Sequence, residues 1–118
     1  MSNAEFADRP EDLGTYFVDR LNNGDLEGLV ALYEPDATII IGTERRITGR
    51  VAIREAMRKL LARRPIFVAR QQEAIRHGRL ALTSARLVDG RATFEVARCQ
   101  PDGTWLWLIN CPPIPCPS

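Results

Sequence analysis

The first third of the chain has apolar residues at the three- and four-residue spacing of amphipathic helices. Leu13, Phe17 and Leu21 predict the buried stripe of a first helix over residues 8–23. The pair Asn23-Gly24 favours the end of that helix, because both residues tolerate the left-handed backbone conformation that follows a last turn. We therefore expect one helix here that packs through a single apolar face.

A second, shorter helix is predicted over residues 25–33. Asp25 stands at its N-cap, where a carboxylate accepts hydrogen bonds from the free amides of the first turn. Apolar residues recur at helical spacing up to Tyr33. The sequence Glu-Pro-Asp then interrupts the helix, and the β-branched, apolar segment that follows predicts a strand over residues 37–42.

A third helix is predicted over residues 50–63, and Pro65 ends it. Its apolar side includes Met57, whereas arginines at four-residue spacing form another face. Before this helix, residues 44–46 form a predicted turn and residues 47–49 a short returning strand.

The second half of the chain predicts a meander of antiparallel strands. Turn sequences that contain glycine separate four mainly apolar segments, which is typical of hairpins. The predicted strands cover residues 66–76, 80–89, 92–100 and 104–111. We expect the proline-rich segment after them to end the sheet, since proline cannot donate a ladder hydrogen bond. Helices followed by a meander predict an α+β fold, with the helices packed on one face of a curved antiparallel sheet.

The segment GDLEGLVALYEPDATI, which starts at Gly24, resembles the signature of the NTF2-like superfamily, in particular its small SnoaL-like and ketosteroid-isomerase-like branch. Two later segments support this resemblance, ITGRVAIREAMRKLL at 47–61 and PDGTWLWLIN at 101–110. The resemblance covers residues 13–110. It implies that the three helices and the curved sheet enclose a conical pocket.

Ketosteroid isomerases have a carboxylate base at the position that Ile41 occupies here, and an isoleucine cannot move a proton. The resemblance places the oxyanion-hole tyrosine at Phe17, next to Tyr16, and a supporting tyrosine at Met57. A further tyrosine of that site is kept as Tyr33. We therefore expect that this chain does not catalyse steroid isomerisation.

The protonated acid of that oxyanion hole falls at Glu95, which keeps the chemical type. If its side chain points inward, burial would raise its pKa and make Glu95 a candidate general acid or base. If the strand is turned the other way, Phe94 and Val96 face the core and Glu95 faces solvent. The sequence leaves both orientations open.

Ser84 and Arg86 share one face of the preceding predicted strand with Leu82 and Val88. From that face Arg86 could hold a substrate carboxylate or pair with Glu95 across the ladder. A buried Glu95–Arg86 pair would lower the pKa of the acid and make it structural. Of these alternatives, we expect the ion pair between Glu95 and Arg86, with a structural role.

Trp105, Trp107 and Ile109 share one face of the last predicted strand, and Leu108 and Asn110 share the other. Aromatic side chains are enriched at interface cores, and the resemblance implies dimers that form back to back through their sheets. We therefore expect a homodimer through the first three residues. Asn110 would then point into the pocket, where its amide can orient a ligand but cannot act as a base.

Charge is unevenly distributed, although the net charge is only +1. Residues 1–44 hold ten acidic and two basic side chains, whereas residues 45–118 hold five acidic and fourteen basic ones. A nucleic-acid surface and attraction between an acidic and a basic layer both fit this distribution. Because the arginines lack interleaved aromatic residues, we expect attraction between layers and no nucleic-acid partner.

Three cysteines, Cys99, Cys111 and Cys116, and the single His77 do not make a structural zinc site, which needs four well-spaced ligands. We expect reduced thiols, no metal and no cofactor. No apolar run reaches the ~20 residues of a membrane span, and no signal-peptide pattern is evident. The expected location is the cytoplasm, without membrane contact.

The length predicts one domain over residues 1–118, with tails at 1–7 and 112–118. The expected pocket is mainly apolar with a few polar points, which suits a small, largely apolar ligand. Its expected lining consists of Tyr16, Phe17, Tyr33, Ile41, Met57, Ser84, Arg86, Glu95, Leu108 and Asn110. Two functions fit this fold, which hosts many chemistries. We favour a non-catalytic binding or association module; the alternative is a cofactor-free isomerase, cyclase or dehydratase that uses Glu95.

Overall fold

The computed structural model describes residues 5–41, 45–65 and 68–115, without the side chains of 112–115. Three helices pack on a seven-stranded sheet, which is not closed into a barrel. The helices are α1 (Pro10–Asn22), α2 (Leu26–Val30) and α3 (Arg50–Ala62). The strands are β1 (Tyr33–Ile41), β2 (Arg45–Thr48), β3 (Ala69–Gln71), β4 (Ile75–His77), β5 (Leu80–Leu87), β6 (Arg91–Cys99) and β7 (Trp105–Pro115). The expected α+β fold is confirmed.

The strand order is β2-β1-β7-β6-β5-β3, and β4 also pairs with β5. Every pair is antiparallel except β1 with β7, which run parallel. This parallel pair brings the strand that follows the first two helices next to the last strand. We call the sheet face that the helices cover the inner face, and the opposite one the outer face. The core lies between the helices and the inner face.

Local sequence signals explain the helix ends. The Asp25 carboxylate caps α2, because its Oδ1 accepts a hydrogen bond from the amide of Gly28 at 3.0 Å. Gly24 has a φ of 69°, the left-handed conformation that the sequence predicts after α1. Leu13 and Leu21 of α1 are buried, as their spacing predicts.

Three predicted elements differ from the structure. The predicted turn over residues 44–46 is wrong in its described part, because Arg45 and Arg46 begin β2. Tyr33, predicted at the end of the second helix, is the first residue of β1. The predicted strand over 66–76 forms two short strands, β3 and β4, in its described part, and residues 66–67 lie outside the described residues. The strands are separate because the amide of Ala74 leaves the ladder and donates a hydrogen bond to Oε2 of Glu11 in α1, at 3.1 Å.

The predicted N-terminal tail is wrong for its described part. Ala7 is buried, and its carbonyl accepts a hydrogen bond from the amide of Trp105 at 2.9 Å. This segment is therefore docked against the sheet. Residues 1–4 lie outside the described part of the chain.

The predicted C-terminal tail is also wrong, because β7 continues to Pro115. Phe94 pairs with Cys111 and Ala92 pairs with Ile114, so two prolines of β7 fall in a register irregularity between these pairs. The ladder hydrogen bonds are already disrupted at such an irregularity, so a proline, which has no amide proton, costs the sheet little there. The sheet therefore tolerates the proline-rich sequence. Residues 116–118 lie outside the described residues.

Ion pairs join the acidic first part of the chain to the basic second part, as expected from the charge distribution. Three such pairs are Glu34–Arg98, Glu27–Arg54 and Glu11–Arg76. In the first pair both guanidinium contacts to the carboxylate are short, at 2.6 and 2.8 Å. Attraction between the two parts of the chain therefore accounts for part of the charge asymmetry, but of these three pairs only Glu11–Arg76 joins a helix to the sheet, so they do not form the expected contact between two layers.

Candidate functional site

A cross-strand row on the inner face carries the polar residues of interest. Asn110 of β7 pairs with Ile39 of β1 on one side and with Glu95 of β6 on the other. Glu95 in turn pairs with Thr83 of β5. Directly opposite residues point to the same face of a sheet, and neighbouring strands are about 4.8 Å apart. The side chain of Glu95 therefore lies between those of Asn110 and Thr83.

Glu95 points inward and is only 7% exposed, so one of the two open orientations is observed. The hydroxyl of Thr83 donates a hydrogen bond to Oε1 of Glu95 at 2.7 Å, and accepts one from Nε1 of Trp107 at 3.0 Å. Burial raises the pKa of Glu95, while hydrogen bonds from Thr93 and Thr83 lower it in part. The carboxyl group therefore keeps its proton to higher pH than a solvated glutamate does.

Asn110 links this row to Tyr33, which pairs with Trp107 and lies outside the row. Nδ2 of Asn110 donates a hydrogen bond to the hydroxyl oxygen of Tyr33 at 2.9 Å. Tyr33 is fully buried, and burial raises its pKa well above its ordinary value. The negative charge of Glu95 raises this pKa further, and the hydrogen bond from Asn110 lowers it. We call Tyr33, Thr83, Glu95, Trp107 and Asn110 the Glu95 cluster.

The prediction that Trp105 and Trp107 lie on the outer face is wrong. They are 5% and 3% exposed, and the ring of Trp107 packs against Phe17 at 5.9 Å and Tyr33 at 5.4 Å. The cause is a register shift in β7, where Ile109 pairs with Val96 but Trp107 pairs with Ala97. One extra residue at a bulge reverses the alternation of side chains. Ile109 is 37% exposed, on the outer side.

The predictions that Ser84 and Arg86 point into the pocket are also wrong. The inward residues of β5 are Ala81, Thr83 and Ala85, all of which are buried. Ser84 and Arg86 alternate with them and face outward, and Arg86 is exposed. The expected ion pair between Glu95 and Arg86 is not formed, because the hydroxyl of Thr83 occupies the position opposite the carboxylate.

The other predicted lining residues divide into three groups. Phe17 and Met57 pack in the core with the Glu95 cluster. Leu108 is half-buried at the bulge of β7. Tyr16 is directed to the N-terminal segment, since its hydroxyl donates a hydrogen bond to Oε2 of Glu5 at 3.2 Å and the guanidinium of Arg20 lies 5.0 Å from its ring centre.

A cavity of about 430 Å³, open to solvent, lies between α3 and the ends of β1 and β2. Its apolar lining comprises Ile41, Ile47, Ala52, Ala56 and Leu60, and its charged lining comprises Arg45, Glu55, Lys59 and Arg63. We call it the α3 cavity. Of the predicted lining residues, Ile41 is the one that borders it.

The α3 cavity and the Glu95 cluster are separate. Ile41 lies two residues along β1 from Ile39, the β1 member of the polar row, which corresponds to roughly 7 Å. The row crosses two further strand spacings to reach Glu95, which adds roughly 10 Å sideways. The ring of Trp107, a member of the cluster, packs there against Phe17 and Tyr33. The sequence predicted a single pocket, whereas the structure has two separate features, the α3 cavity and the buried Glu95 cluster.

Two members of the Glu95 cluster were not identified from the sequence as site residues, Thr83, which bonds Glu95, and Trp107, which bonds Thr83. A usable signal exists for Thr83, because it alternates with two alanines. Small residues on one strand face indicate that another element packs closely there, and a threonine among them is a buried polar group that needs a partner. For Trp107 the sequence offers no such signal, since its orientation depends on the bulge.

Within the described residues, no group of three or more histidine, cysteine, aspartate or glutamate side chains is placed to hold a metal ion. Cys99 and Cys111 are free thiols. The helices that the structure describes are too short or too polar to span a bilayer.

The SnoaL-like domain family model matches residues 15–108. No curated protein is significantly similar to the chain. Many solved structures share the fold, and all of those compared below are less than 25% identical, so they show the fold alone.

A protein from Thiobacillus denitrificans, provisionally assigned as a calcium/calmodulin-dependent protein kinase type II association domain, is 16% identical with a TM-score of 0.74, over 92% of this chain and 98% of that one. A ketosteroid isomerase-like protein from Erwinia carotovora atroseptica is 12% identical with a TM-score of 0.70, over 86% and 89%. An NTF2-like protein from Streptomyces avermitilis with a provisional dehydratase assignment is 15% identical with a TM-score of 0.67, over 84% and 88%.

Proposed function

We propose that this chain, which belongs to the SnoaL-like domain family of the NTF2-like superfamily, binds a small, largely apolar molecule in the α3 cavity. The cavity volume of about 430 Å³ supports the proposal, because it falls in the range of small-molecule sites. Its walls are mainly apolar, and Ile41 remains 38% exposed at its edge. A ligand that covers this surface gains the favourable free energy of removing apolar area from water.

Titration of ¹⁵N-labelled protein with 1-octanol, a neutral apolar probe, tests the proposal. We expect saturable shifts of amide signals in α3 and β2. Ala56→Leu fills part of the cavity and should weaken binding at least fivefold, since the added volume competes with the ligand. Ala62→Leu is the matched control, because this exposed residue of the same helix does not border the cavity. Equal binding by both variants, or no saturable binding at all, would contradict the proposal.

A second candidate function is proton transfer by Glu95 in a cofactor-free isomerase or dehydratase. The inward, buried carboxyl group with raised pKa favours it, and among the described residues no arginine forms an ion pair with this group. Against it, Ile41 offers no second proton acceptor, and the amide of Asn110 cannot act as a base. The α3 cavity does not reach Glu95 either, so a substrate would have to displace core side chains.

Incubation with 3-cyclohexenone, a β,γ-unsaturated ketone, in deuterated water tests this candidate. Proton transfer by Glu95 predicts deuterium incorporation that Glu95→Gln abolishes while the fold is kept. Equal incorporation by both proteins, or none above that of buffer, would rule out this role toward ketones of that type.

For assembly we propose a homodimer through the outer sheet face, with a changed set of contact residues. Leu82, Val96 and Ile109 form one cross-strand row there, and Ile75 of β4 extends it. Three of these residues are 37% to 68% exposed, and Val96 is half-buried. A continuous apolar row of this kind suits a second copy of the same surface. The association-domain assignment of the Thiobacillus denitrificans protein is consistent with this use of the fold.

A further inference from the structure

We infer that the ligand of the α3 cavity is an apolar molecule that carries an acidic group, such as a medium-chain carboxylate. The inference rests on the proposed function, and it concerns the charges at the edge of the cavity. Three basic side chains border the cavity, Arg45, Lys59 and Arg63, together with one acidic side chain, Glu55. All four are exposed.

The single acidic side chain does not balance these cations. Both carboxylate oxygens of Glu55 accept hydrogen bonds from Arg58, at 3.0 and 2.5 Å. Arg58, which does not border the cavity, is the main cation that neutralises Glu55, and Lys59 contributes less. Among the described residues, no acidic side chain forms an ion pair with Arg45 or Arg63.

The positions of the cations allow them to act together. Lys59 and Arg63 are four residues apart, and therefore project from the same side of the helical segment at the end of α3. Arg45 borders the same cavity from β2. An acidic group at the opening could approach all three, while its apolar part lies against Ile47 and Leu60. The interior is too apolar for a ligand with charges throughout.

The helix dipole limits how strongly the cations at the opening favour an acidic ligand. Lys59 and Arg63 lie near the C terminus of α3, where the partial negative charge of the helix end favours cations and opposes a bound anion. Exposed ion pairs are also weak individually, and salt screens them. We therefore expect a preference for the acid of about tenfold when three cations contribute, and not a much larger one.

The test compares three ligands of equal chain length, octanoate, 1-octanol and octylamine, by NMR titration of the full chain at pH 7.5 and low salt. We expect octanoate to bind about tenfold more tightly than octanol, and octylamine to bind most weakly. Added salt should reduce the preference for octanoate. Equal affinities for octanoate and octanol, or a preference for the amine, would overturn the inference and leave the proposed function standing. No binding of any of the three would overturn the proposed function itself.

Charge reversal provides the matched variants. Arg45→Glu should lower the affinity for octanoate at least threefold and leave the affinity for octanol within twofold, since only the charge at the opening changes. Arg46→Glu is the control, because it changes the net charge equally one residue away and does not border the cavity. If both variants weaken octanoate binding equally, the effect comes from overall charge, and the inference is wrong.

Discussion

The hydroxyl of Thr83 donates a hydrogen bond to Oε1 of Glu95 at 2.7 Å, and both residues are buried. The same hydroxyl accepts a hydrogen bond from the indole of Trp107 at 3.0 Å. A threonine hydroxyl has one proton to donate, and here that proton goes to the carboxyl group. Thr83 thus satisfies two buried polar groups at once, and it lies between the acid and the aromatic core.

Glu95→Gln should change the pH dependence of stability. The folded state raises the pKa of Glu95, chiefly through burial. The protonated side chain of Glu95 therefore stabilises the folded protein fully at pH values below the unfolded-state pKa of 4.5. This stabilisation is lost as pH rises through the folded-state pKa. Relative to wild type, the glutamine variant should gain stability as pH rises from the unfolded-state value through the folded-state pKa of Glu95, by about 1.4 kcal/mol for each unit by which the folded-state pKa is raised. Urea unfolding at several pH values measures this, and an unchanged difference across that range would contradict the raised pKa.

Thr83→Val keeps the shape of the side chain and removes its hydroxyl. The indole N–H of Trp107 and one oxygen of Glu95 then lose a partner inside the core. We expect a loss of about 1–3 kcal/mol in the free energy of unfolding, the usual cost of an unsatisfied buried polar group. Thr38→Val is the matched control, because its hydroxyl bonds Thr48 at an exposed site. Urea unfolding measures both variants. Similar losses for the two would show that the buried hydrogen bonds of Thr83 contribute no more to the free energy of unfolding than an exposed one.

Arg98→Ala should destabilise the protein more at neutral than at acidic pH. Hydrogen bonds from Arg98 are the main cause that lowers the pKa of Glu34, whose side chain is buried. The interaction of Glu34 with Arg98 therefore stabilises the folded protein at pH values above the unfolded-state pKa of 4.5. This stabilisation is lost as pH falls through the lowered folded-state pKa of Glu34. Arg91→Ala, which breaks an exposed pair with Asp89, is the control and should cost less. Thermal unfolding at pH 7 and pH 3 compares them, and equal losses for both variants would refute the prediction.

Val96→Lys should convert the proposed dimer into a monomer without loss of the fold. The substitution places a charge in the middle of the outer row between Leu82 and Ile109. Val51→Lys makes the same change on α3 at a residue that is 88% exposed, and it should leave the oligomeric state unchanged. Sedimentation velocity measures the assembly, and circular dichroism checks the fold. A wild-type protein that is monomeric at 100 µM, or a Val96→Lys variant that stays dimeric, would refute this interface.

Most of the helices and hairpin turns could be predicted from the sequence, because these depend on residues close together in the chain, although the second helix ends earlier than predicted, at Val30. The spacing of Leu13 and Leu21 defines the buried face of α1, and Asp25 caps α2 through an amide three residues away. Glycines of positive φ stand at the predicted hairpins, for example Gly90 with a φ of 89°. The resemblance to SnoaL-like proteins also identified the superfamily from local segments of the chain.

Which faces of the strands carry the site depends on the tertiary structure. Side chains alternate between the two faces of a strand, and this alternation does not say which face is buried. The orientation of Glu95 therefore depends on how β5 and β7 pair with β6. The bulge in β7 turned Trp107 inward and Ile109 outward. The inward position of Thr83 put Arg86 on the opposite face, away from the acid that it was expected to neutralise. These outcomes depend on contacts between residues far apart in the chain, which side-chain alternation along a single strand does not contain.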